Sequence, residues 1–263
     1  MSNAKLAIVT GASKGIGRAI CKQLALHNWR CLLIGRDLER LQQVIASLDG
    51  EHDYLAIDVA ADNAAQSIAN KAQKMGGASL LVNNAGINTM SAFADIPAQA
   101  IQQHIQTNLV APMLITQACL PQLQASTGTI VNVGSAFGAI GYPYQTSYCA
   151  SKFGIRGFTE ALTRELNGVV EVKYLAPRAT VTQMNDDRSN AVNRALGNQM
   201  DSPELVAQAF IKLLHSKRKR STVGFAETCF ARLNGFFPEL LDKALIKQLK
   251  TIETIFSTKE SVR

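Results

Sequence analysis

The chain has 263 residues and a formal net charge of +7, with 47% apolar and 18% charged residues. This composition is typical of a folded globular protein and excludes intrinsic disorder, and the length is sufficient for a sizeable core. Polar residues, glycine or proline interrupt each apolar stretch before it reaches the roughly 18 residues of a membrane span, so we expect no transmembrane segment.

The positive charge suits several anionic partners, namely nucleic acid, a membrane surface or a phosphate-bearing ligand. Only residues 217–220 form a basic run, which we interpret as a solvated helix end and not as a nucleic-acid site. The five cysteines form no CxxC motif and no Cys/His cluster, so we predict no metal site. Their odd number, together with a first strand near residue 5 that leaves no room for a targeting segment, favours reduced thiols and a cytoplasmic location.

Seven short apolar runs alternate along the chain with segments of helical periodicity. Strand–helix alternation predicts right-handed crossovers and a parallel sheet covered by helices on both faces. No linker or repeat divides the chain, so we predict one α/β domain with a doubly wound sheet and a ligand site at the carboxyl ends of its strands. The predicted strands are 5–10, 31–35, 54–58, 79–83, 128–134, 169–175 and 221–225.

The first predicted strand leads directly into the glycine-rich segment TGASKGIG, residues 10–17. Gly11, Gly15 and Gly17 permit a tight turn and close approach of the backbone to a pyrophosphate. The helix that follows adds free amides and a favourable dipole at its first turn. Such a turn also occurs in ordinary loops, but its place between a first strand and a first helix favours nucleotide binding.

The end of the second predicted strand indicates which nucleotide is bound. Sites for NAD usually carry an acidic residue there, which hydrogen-bonds the ribose 2′-hydroxyl. Here the strand ends in Gly35 and Arg36, and Asp37 is placed to cap the next helix. Arg36 and Lys14 can bind a 2′-phosphate, although both also fit as exposed surface charges. We therefore predict NADP(H) as the cofactor, ahead of NAD(H).

No Asp, Glu, Lys or Arg occurs between Asp95 and Lys152. The uncharged stretch ends in SYCASKF, residues 147–153, where Tyr148 and Lys152 lie four residues apart and hence on one helix face. Hydride transfer between a carbonyl and nicotinamide needs a group that gives or takes a proton at the same oxygen. We expect the charge of Lys152, joined by that of oxidised nicotinamide, to lower the pKa of Tyr148. Ser135, after an apolar strand upstream, favours the catalytic interpretation over a chance YxxxK spacing.

Over nearly its whole length the chain resembles the short-chain dehydrogenase/reductase family. The glycine turn, Asp58, NNAG at 83–86, Asn108, Ser135 and the Tyr148/Lys152 pair occur in the order and spacing of that family. The resemblance implies a Rossmann-type fold with a seven-stranded parallel sheet in three α/β/α layers. It also implies an oxidoreductase that interconverts a carbonyl and an alcohol.

The resemblance assigns roles to particular residues. Tyr148 would be the general acid or base, Lys152 would also hold the nicotinamide ribose, Ser135 would contact the substrate oxygen, and Asn108 would anchor a water. The cofactor-binding residues implied by the family and by the glycine turn are Thr10, Gly11, Ser13, Lys14, Gly15, Ile16, Gly17, Arg36, Asp58, Val59, Asn83, Asn84, Ala85, Gly86, Tyr148, Lys152, Pro177 and Thr182.

In many relatives the helices on either side of the fifth strand pack against a neighbouring subunit. The corresponding segments here are 96–124 and 144–167, and the first carries no ionised side chain, as expected for a surface removed from water. The resemblance therefore implies a homodimer or homotetramer. An uncharged helix within a monomer core is the alternative interpretation.

The chain departs from the family after the sixth predicted strand, where Pro-Gly is usual and Pro177 is here followed by Arg178. Arg178 can hold a carboxylate or phosphate of the substrate, or it can point away. The polar segment 183–202 lies where relatives carry a mobile substrate lid. Phe137, Ile140, Tyr142 and Tyr144 follow Ser135 and can line an apolar pocket, with ordinary core packing as the alternative. We take Phe137, Tyr144 and Arg178 as the candidate pocket residues and expect a lipophilic substrate.

The C-terminal segment is the least family-like part. We predict a domain over residues 1–238 and a basic amphipathic helix in 239–263 that packs on it or extends it. Over 239–256 the helix can instead lie on an anionic membrane. Three lysines lie opposite its apolar residues, which are Leu241, Leu245, Leu249, Ile252 and Phe256.

The predicted function is NADP(H)-dependent interconversion of a ketone or aldehyde and an alcohol. A non-catalytic NADP-binding or membrane-associated protein on the same scaffold is one alternative, which Arg178 keeps open. A sugar-nucleotide epimerase or dehydratase is another, although such enzymes usually have a larger C-terminal domain than this chain can supply.

Overall fold

The computed structural model describes residues 4–257. Within this range seven strands form one parallel sheet in the order β3-β2-β1-β4-β5-β6-β7. The predicted doubly wound α/β fold is therefore confirmed. The strands are β1 Leu6–Thr10, β2 Arg30–Gly35, β3 Asp53–Ala56, β4 Ala78–Asn83, β5 Thr129–Val133, β6 Glu171–Ala176 and β7 Arg220–Thr222.

Helices connect the strands and extend beyond the last of them. A π-helical turn at Gln106–Val110 joins α4 to α5, and short 3-10 turns lie at Phe93–Asp95 and Ala136–Gly138. The helices are α1 Gly15–Leu26, α2 Leu38–Ala46, α3 Ala64–Lys74, α4 Ala98–Ile105, α5 Ala111–Ala125, α6 Thr146–Glu165, α7 Asp187–Ala195, α8 Pro203–Leu214, α9 Phe225–Phe236 and α10 Pro238–Ser257. None of the helices in the described part of the chain is both long and apolar enough to cross a membrane.

The core lies in two layers on the two faces of the sheet. Alternation of side chains along β1 sends Val9 to one face, where it packs with α1 and α8, and Ile8 to the other, where it packs with α3 and α5. Phe210 of α8 and Ile115 of α5 are both fully or almost fully buried in these layers. The two layers and the sheet between them form the predicted three-layer α/β/α arrangement.

Three predicted strand boundaries were wrong by two or more residues. The third strand ends at Ala56 and not at residue 58. The sixth strand begins at Glu171 and not at residue 169, because Gly168 has a φ of +83° and the next two amides bond back to Leu166. The seventh strand ends at Thr222, because Gly224 has a φ of +103° and the chain turns into α9. Phe225, predicted as the end of a strand, is instead the first residue of that helix.

The sheet topology determines where a ligand site can form. β1 pairs with β2 on one side and with β4 on the other. β2 and β3 extend the sheet toward one edge and β4 to β7 extend it toward the other, so the strand order reverses between β1 and β4. A crevice at the carboxyl ends of the strands is expected at this switch point. The opposite edge carries the helix-to-strand turns, among them Gly76 and Gly77 between α3 and β4.

Candidate active site

A cavity of about 450 Å³ lies at the carboxyl edge of the sheet, where segments that follow six of the strands meet. α7, α9 and α10 supply further parts of its wall. Most of the predicted site residues line it, namely Gly11, Ser13, Lys14, Gly15, Ile16, Arg36, Asp58, Val59, Asn84, Ala85, Gly86, Ser135, Phe137, Tyr148, Lys152, Pro177, Arg178 and Thr182. The predicted residues Thr10, Gly17, Asn83, Asn108 and Tyr144 are not part of this lining.

The glycine turn between β1 and α1 has the form that a bound pyrophosphate needs. Gly11 and Gly15 adopt φ values of +66° and +53°, which side chains rarely adopt. A Cβ at Gly17 would lie 2.2 Å from the carbonyl oxygen of Gly11, so the helix can approach the turn only with glycine there. No side chain caps the start of α1, which leaves its first amides available to an anion.

The end of the cavity beside β2 and β3 contains a pair of opposite charges. Arg36, just after β2, lies with Nη1 3.5 Å from Oδ2 of Asp58, which follows β3. Asp37 instead accepts a hydrogen bond from the amide of Arg40 and caps α2, as predicted. Because Asp37 is engaged in this way, the side chain available at the end of β2 is the cation Arg36.

Thr10 and Asn84 hold the two loops of the switch point together. Oγ1 of Thr10 accepts hydrogen bonds from the amides of Asn84 and Ala85, at 2.9 and 3.0 Å. The Asn84 side chain donates to the carbonyl of Thr10. Asn83 is buried, and its amide group bonds Thr116 and Asn132 at distances of 3.0 and 2.8 Å. Thr10 and Asn83 therefore lie behind the residues that line the cavity and hold them in place through these hydrogen bonds.

Tyr148 and Lys152 lie one turn apart in the first half of α6, and both are buried. Nζ of Lys152 donates to the carbonyl oxygen of Val133 at 3.1 Å and lies 5.7 Å from the centre of the Tyr148 ring. A Cβ at Gly86 would lie 3.7 Å from the same Nζ, so the loop after β4 passes close to this ammonium group. The i, i+4 spacing thus places both groups on the cavity side of one helix.

Burial sets the protonation of this pair. It raises the pKa of Tyr148 well above the ordinary value, and the hydroxyl of Ser135 offsets only part of that rise. Burial also lowers the pKa of Lys152 to about 8. We expected Lys152 to lower the pKa of Tyr148. Among the protein groups, the loss of hydration is instead the main cause of the shift and raises that pKa, and Lys152 is not among the groups that shift it.

Ser135 occupies the turn between β5 and the short helix Ala136–Gly138. Its Oγ accepts a hydrogen bond from the amide of Phe137 at 3.1 Å, and its hydroxyl also interacts with that of Tyr148. Close packing fixes this turn, because a Cβ at Gly138 would lie 2.4 Å from the Tyr174 hydroxyl and 2.7 Å from the carbonyl oxygen of Lys152. The position of Ser135 is thus coupled to that of α6.

Asn108 lies in the π-helical turn between α4 and α5 and is 1% exposed. Its Oδ1 accepts from the amide of Ile87 at 2.8 Å, and its Nδ2 donates to the Ile87 carbonyl and to Ser151 Oγ. Asn108 therefore ties the loop after β4 to α6 and does not reach the cavity itself. An irregular helical turn of this kind is frequent at functional sites.

Arg178 lines the cavity, but its guanidinium group is engaged by the protein. It forms a bidentate ion pair with Asp201, with distances of 2.9 and 2.7 Å, and approaches Glu227 of α9 to 3.7 Å. The side chains of Arg178 and Asp201 are 20% and 4% exposed. The structure thus favours a structural role for Arg178 over binding of an anionic substrate group.

The predicted pocket residues are only partly brought together. Phe137 stacks on Tyr142, and both line the cavity. Tyr144 lies outside it, with a φ of +64° and its ring 4.7 Å from that of Phe256. The backbone at Tyr144 is left-handed, and the Tyr144 ring packs against Phe256 of α10. Tyr142, and not Tyr144, therefore lines the cavity.

The C-terminal helices supply part of the site that sequence reasoning missed. Leu241, Leu245 and Gln248 of α10 and Phe230 of α9 line the cavity. Leu241 and Ile252 are buried, and the hydroxyl of Tyr142 donates to Gln248 at 2.9 Å. The helical spacing of the apolar residues in α10 was the available signal, but spacing alone did not show which surface that face covers.

Together the sheet, the glycine turn and the Tyr148/Lys152 pair define a dinucleotide-binding oxidoreductase fold. The family model for short chain dehydrogenases matches residues 5–193. The chain belongs to the short-chain dehydrogenase/reductase family, and it is an oxidoreductase that acts on alcohol and carbonyl groups.

Individual relatives agree with this assignment. The chain is 34% identical over 218 residues to a bovine (Bos taurus) 3-oxoacyl-[acyl-carrier-protein] reductase, which covers 81% of this chain and 92% of the relative. It is 35% identical over 217 residues to carbonyl reductase family member 4 of Danio rerio, with the same coverage. Among solved structures it is similar to an actinorhodin polyketide ketoreductase in complex with NADPH, with a TM-score of 0.77, 25% identity and coverage of 85% of this chain and 97% of the other.

Proposed function

We propose that the chain is an NADPH-dependent reductase that converts a ketone on a lipophilic chain to the alcohol, with Tyr148 as the proton donor. The observation that carries the proposal is that Tyr148, Lys152 and Ser135 line the same cavity as the glycine turn and Arg36. A proton donor and a nucleotide cradle in one enclosed space are what carbonyl reduction needs.

The nucleotide would be held by the residues of the β1–α1 turn and the loops after β2 to β4. The amides at the start of α1 and the glycines beside them suit the pyrophosphate. Arg36 and Lys14 are the cations for a 2′-phosphate, and Asp37 is engaged as the cap of α2. The phosphate would compete with Asp58, which lies 3.5 Å from Arg36. Bound NADPH would supply the hydride for the substrate carbon.

The protein groups favour Tyr148 as an acid. Because burial raises its pKa, Tyr148 carries its proton at neutral pH and can donate it to a substrate oxygen that gains negative charge. Ser135 lies beside Tyr148, with which its hydroxyl interacts, and its O–H would turn to the same oxygen when the substrate binds. The ammonium of Lys152, held at the Val133 carbonyl, would stabilise the phenolate after the proton has left.

The remaining wall of the cavity supports an apolar substrate with one polar region. Met90, Ile140, Val192, Leu241 and Leu245 form much of the wall beyond Tyr148. Among the described residues, the buried side-chain oxygens of Asn88 and Gln145, which also line the cavity, have no hydrogen-bond partner. Both oxygens are hydrogen-bond acceptors, so they suit an N–H or O–H donor on an otherwise apolar substrate. The relative named 3-oxoacyl-[acyl-carrier-protein] reductase supports a 3-oxoacyl thioester as that substrate.

Separate titrations with NADPH and NADH, followed by the cofactor fluorescence, test the nucleotide. We expect NADPH to bind at least roughly tenfold more tightly than NADH, and Arg36→Ala to remove most of that difference, because a charge-assisted contact contributes about 1.5–3 kcal/mol. Lys22→Ala, an exposed change on α1 outside the cavity, is the matched control. A preference for NADH would contradict the assignment of Arg36.

Turnover of 3-oxoacyl thioesters of increasing chain length, followed by NADPH oxidation, tests the chemistry. Tyr148→Phe removes only the proton donor, so kcat should fall by about 10²–10⁴-fold while NADPH binding is retained. Unchanged turnover in this variant would overturn the role of Tyr148. Tight NADPH binding without turnover of any ketone would instead favour a non-catalytic, NADP-binding protein.

A further inference from the structure

The helices α9 and α10 form a hairpin with two different faces. The inner face lines the cavity through Phe230, Leu241 and Leu245. The outer face exposes large apolar side chains that the rest of the described chain does not cover. These are Phe225 at 87%, Phe236 at 79%, Phe237 at 63%, Leu240 at 58% and Ile246 at 65% exposure.

The apolar residues of the outer face lie among cations. On α9 the residues Phe225, Arg232 and Phe236 follow one another at spacings of a helical stripe and are all exposed. On α10 the exposed stripe contains Lys243, Lys247 and Lys250. We call the exposed apolar residues given above, with Arg232 and these three lysines, the hairpin face.

The acidic side chains of the two helices lie mostly away from these cations. Glu227 of α9 approaches Arg178 at 3.7 Å. On α10, Glu239 lies among the lysines, whereas Asp242 and Glu253 point about a quarter turn away from the direction of the three lysines at about 100° per residue. The hairpin face is therefore apolar and cationic at once. Lysine side chains can lie along an apolar surface and keep their ammonium groups in the polar layer above it.

We propose that the hairpin face binds the surface of an anionic lipid bilayer. Aromatic and aliphatic side chains at the α9–α10 connection would enter the headgroup and upper acyl region, while the lysines would contact lipid phosphates. This surface differs from the predicted membrane-binding face of the helix, because Leu241 and Ile252 of that face are buried against the protein.

A second copy of the chain is the competing occupant, and the charges disfavour it. In a two-fold symmetric contact two copies of the same net cationic face meet, so their net charges repel each other. Anionic headgroups would neutralise the same side chains without this repulsion.

The hairpin that carries this face also forms part of the cavity rim. Phe230 and Ala244 are exposed and also line the cavity, so the rim of the cavity lies on the hairpin. A hairpin held at a bilayer would place that rim beside the acyl region. An apolar substrate dissolved in lipid would then reach the site without crossing water.

Vesicle flotation of the full chain tests the proposal, with phosphatidylcholine vesicles that contain or lack phosphatidylglycerol. We expect the wild type to float only with the phosphatidylglycerol vesicles. The variant Lys243→Glu/Lys247→Glu/Lys250→Glu should bind them at least roughly tenfold more weakly, because each lysine near an anionic surface contributes about 1 kcal/mol. The variant Phe236→Ser/Phe237→Ser/Ile246→Ser should also lose binding, and the thermal unfolding midpoint shows that each variant folds.

The control carries the same change of charge outside the hairpin, as Lys212→Glu/Lys217→Glu/Arg218→Glu, at positions that are exposed. Its binding should equal that of the wild type. Equal losses in the control and the lysine variant would overturn the proposal, as would a wild type that binds neither kind of vesicle. Self-association in sedimentation that only the Phe236/Phe237/Ile246 variant abolishes, without vesicle binding, would assign the face to a second copy. No cofactor or substrate is present, so the result is independent of the proposed reaction.

Discussion

At the scale of single residues, burial has the largest effect on the chemistry of the site. Lys152 is 5% exposed, and its Nζ has the Val133 carbonyl as its hydrogen-bond acceptor. No carboxylate contributes to its pKa shift, which desolvation alone causes. The protein therefore holds Lys152 in a buried position where the loss of hydration destabilises its charged form, as expected where function and stability compete.

Lys152→Met should change how stability depends on pH. Burial lowers the Lys152 pKa from 10.5 to about 8, so between these values the unfolded chain binds more protons than the folded one, and wild-type stability rises with pH. The variant should be more stable than the wild type below pH 8, by up to about 3 kcal/mol, with an advantage that shrinks as pH approaches 10.5.

Urea unfolding of wild type and Lys152→Met between pH 7 and pH 9.5 measures this difference. The raised pKa of Tyr148 affects stability mainly above the ordinary tyrosine value, at higher pH. Burial also raises the pKa values of the Cys119 and Cys149 thiols, which affects stability within the window, but both proteins share these thiols, so the difference between them isolates the lysine. Lys22→Met is the control for loss of a surface lysine. A difference that stays constant over the window would refute the prediction.

At the scale of elements, the turn after β5 and the helix α6 act as one unit. Gly134 and Gly138 both lie against Tyr174 of β6, and Gly138 also lies against the backbone of α6 at Lys152. This packing holds Ser135 in a fixed position relative to Tyr148 and Lys152.

Gly138→Ala should therefore reduce both stability and turnover. Its Cβ would need to displace the Tyr174 hydroxyl or the α6 backbone, which costs about 1–3 kcal/mol, and kcat should fall about tenfold because the catalytic groups shift. Gly141→Ala, where nothing lies within 4 Å of the added atom, should behave as wild type. Thermal unfolding and steady-state rates distinguish the two variants.

Arg178 links three elements: the segment after β6, the connection between α7 and α8, and α9. Its partner Asp201 also pairs its backbone with Thr180. Arg178→Gly restores the residue usual in the family but leaves the buried Asp201 without its partner, and should cost about 3 kcal/mol.

A double-mutant cycle with Asp201→Asn tests this account. The loss of unfolding free energy in the double variant should be smaller than the sum of the losses in the two single variants by about 1 kcal/mol or more, as measured by urea unfolding. Additive losses, together with a raised KM for anionic substrates only in Arg178→Gly, would show that Arg178 binds the substrate.

Whether the sequence predicted a feature of the site depends on how far apart along the chain the interacting residues lie. Tyr148 and Lys152 were found because an i, i+4 spacing fixes their relation within one helix. Thr10 and Asn83 were placed at the cofactor, yet they bond across neighbouring strands, and a linear motif does not show which way such side chains point. The contribution of Leu241 depends on α10 returning to the cavity, a long-range contact that carries no local pattern.

At the scale of the whole molecule, the exposed apolar residues of the central helices favour a homo-oligomer. Met113 and Leu114 of α5 and Phe153 of α6 are more than a third exposed, and α4 and α5 contain no Asp, Glu, Lys or Arg. We propose that the chain forms a homodimer or homotetramer through α4, α5 and α6, because such a surface is stable when a neighbouring subunit covers it.

Leu114→Glu/Phe153→Glu should then convert the oligomer to monomers, since it places charges in a face that association removes from water. Light scattering after size-exclusion chromatography measures the mass. Leu26→Glu/Val169→Glu changes two exposed apolar residues elsewhere and should keep the wild-type mass. A monomeric wild type would contradict the proposal.

The separation of the two sheet edges has a practical consequence for labelling the protein. The chemistry lies at the carboxyl ends of the strands, whereas Gly76 and Gly77 turn the chain at the other edge. Both have open space around the position of a side chain. A fluorophore or a short epitope inserted between them would report on the protein in a cell while leaving the nucleotide and substrate ends untouched.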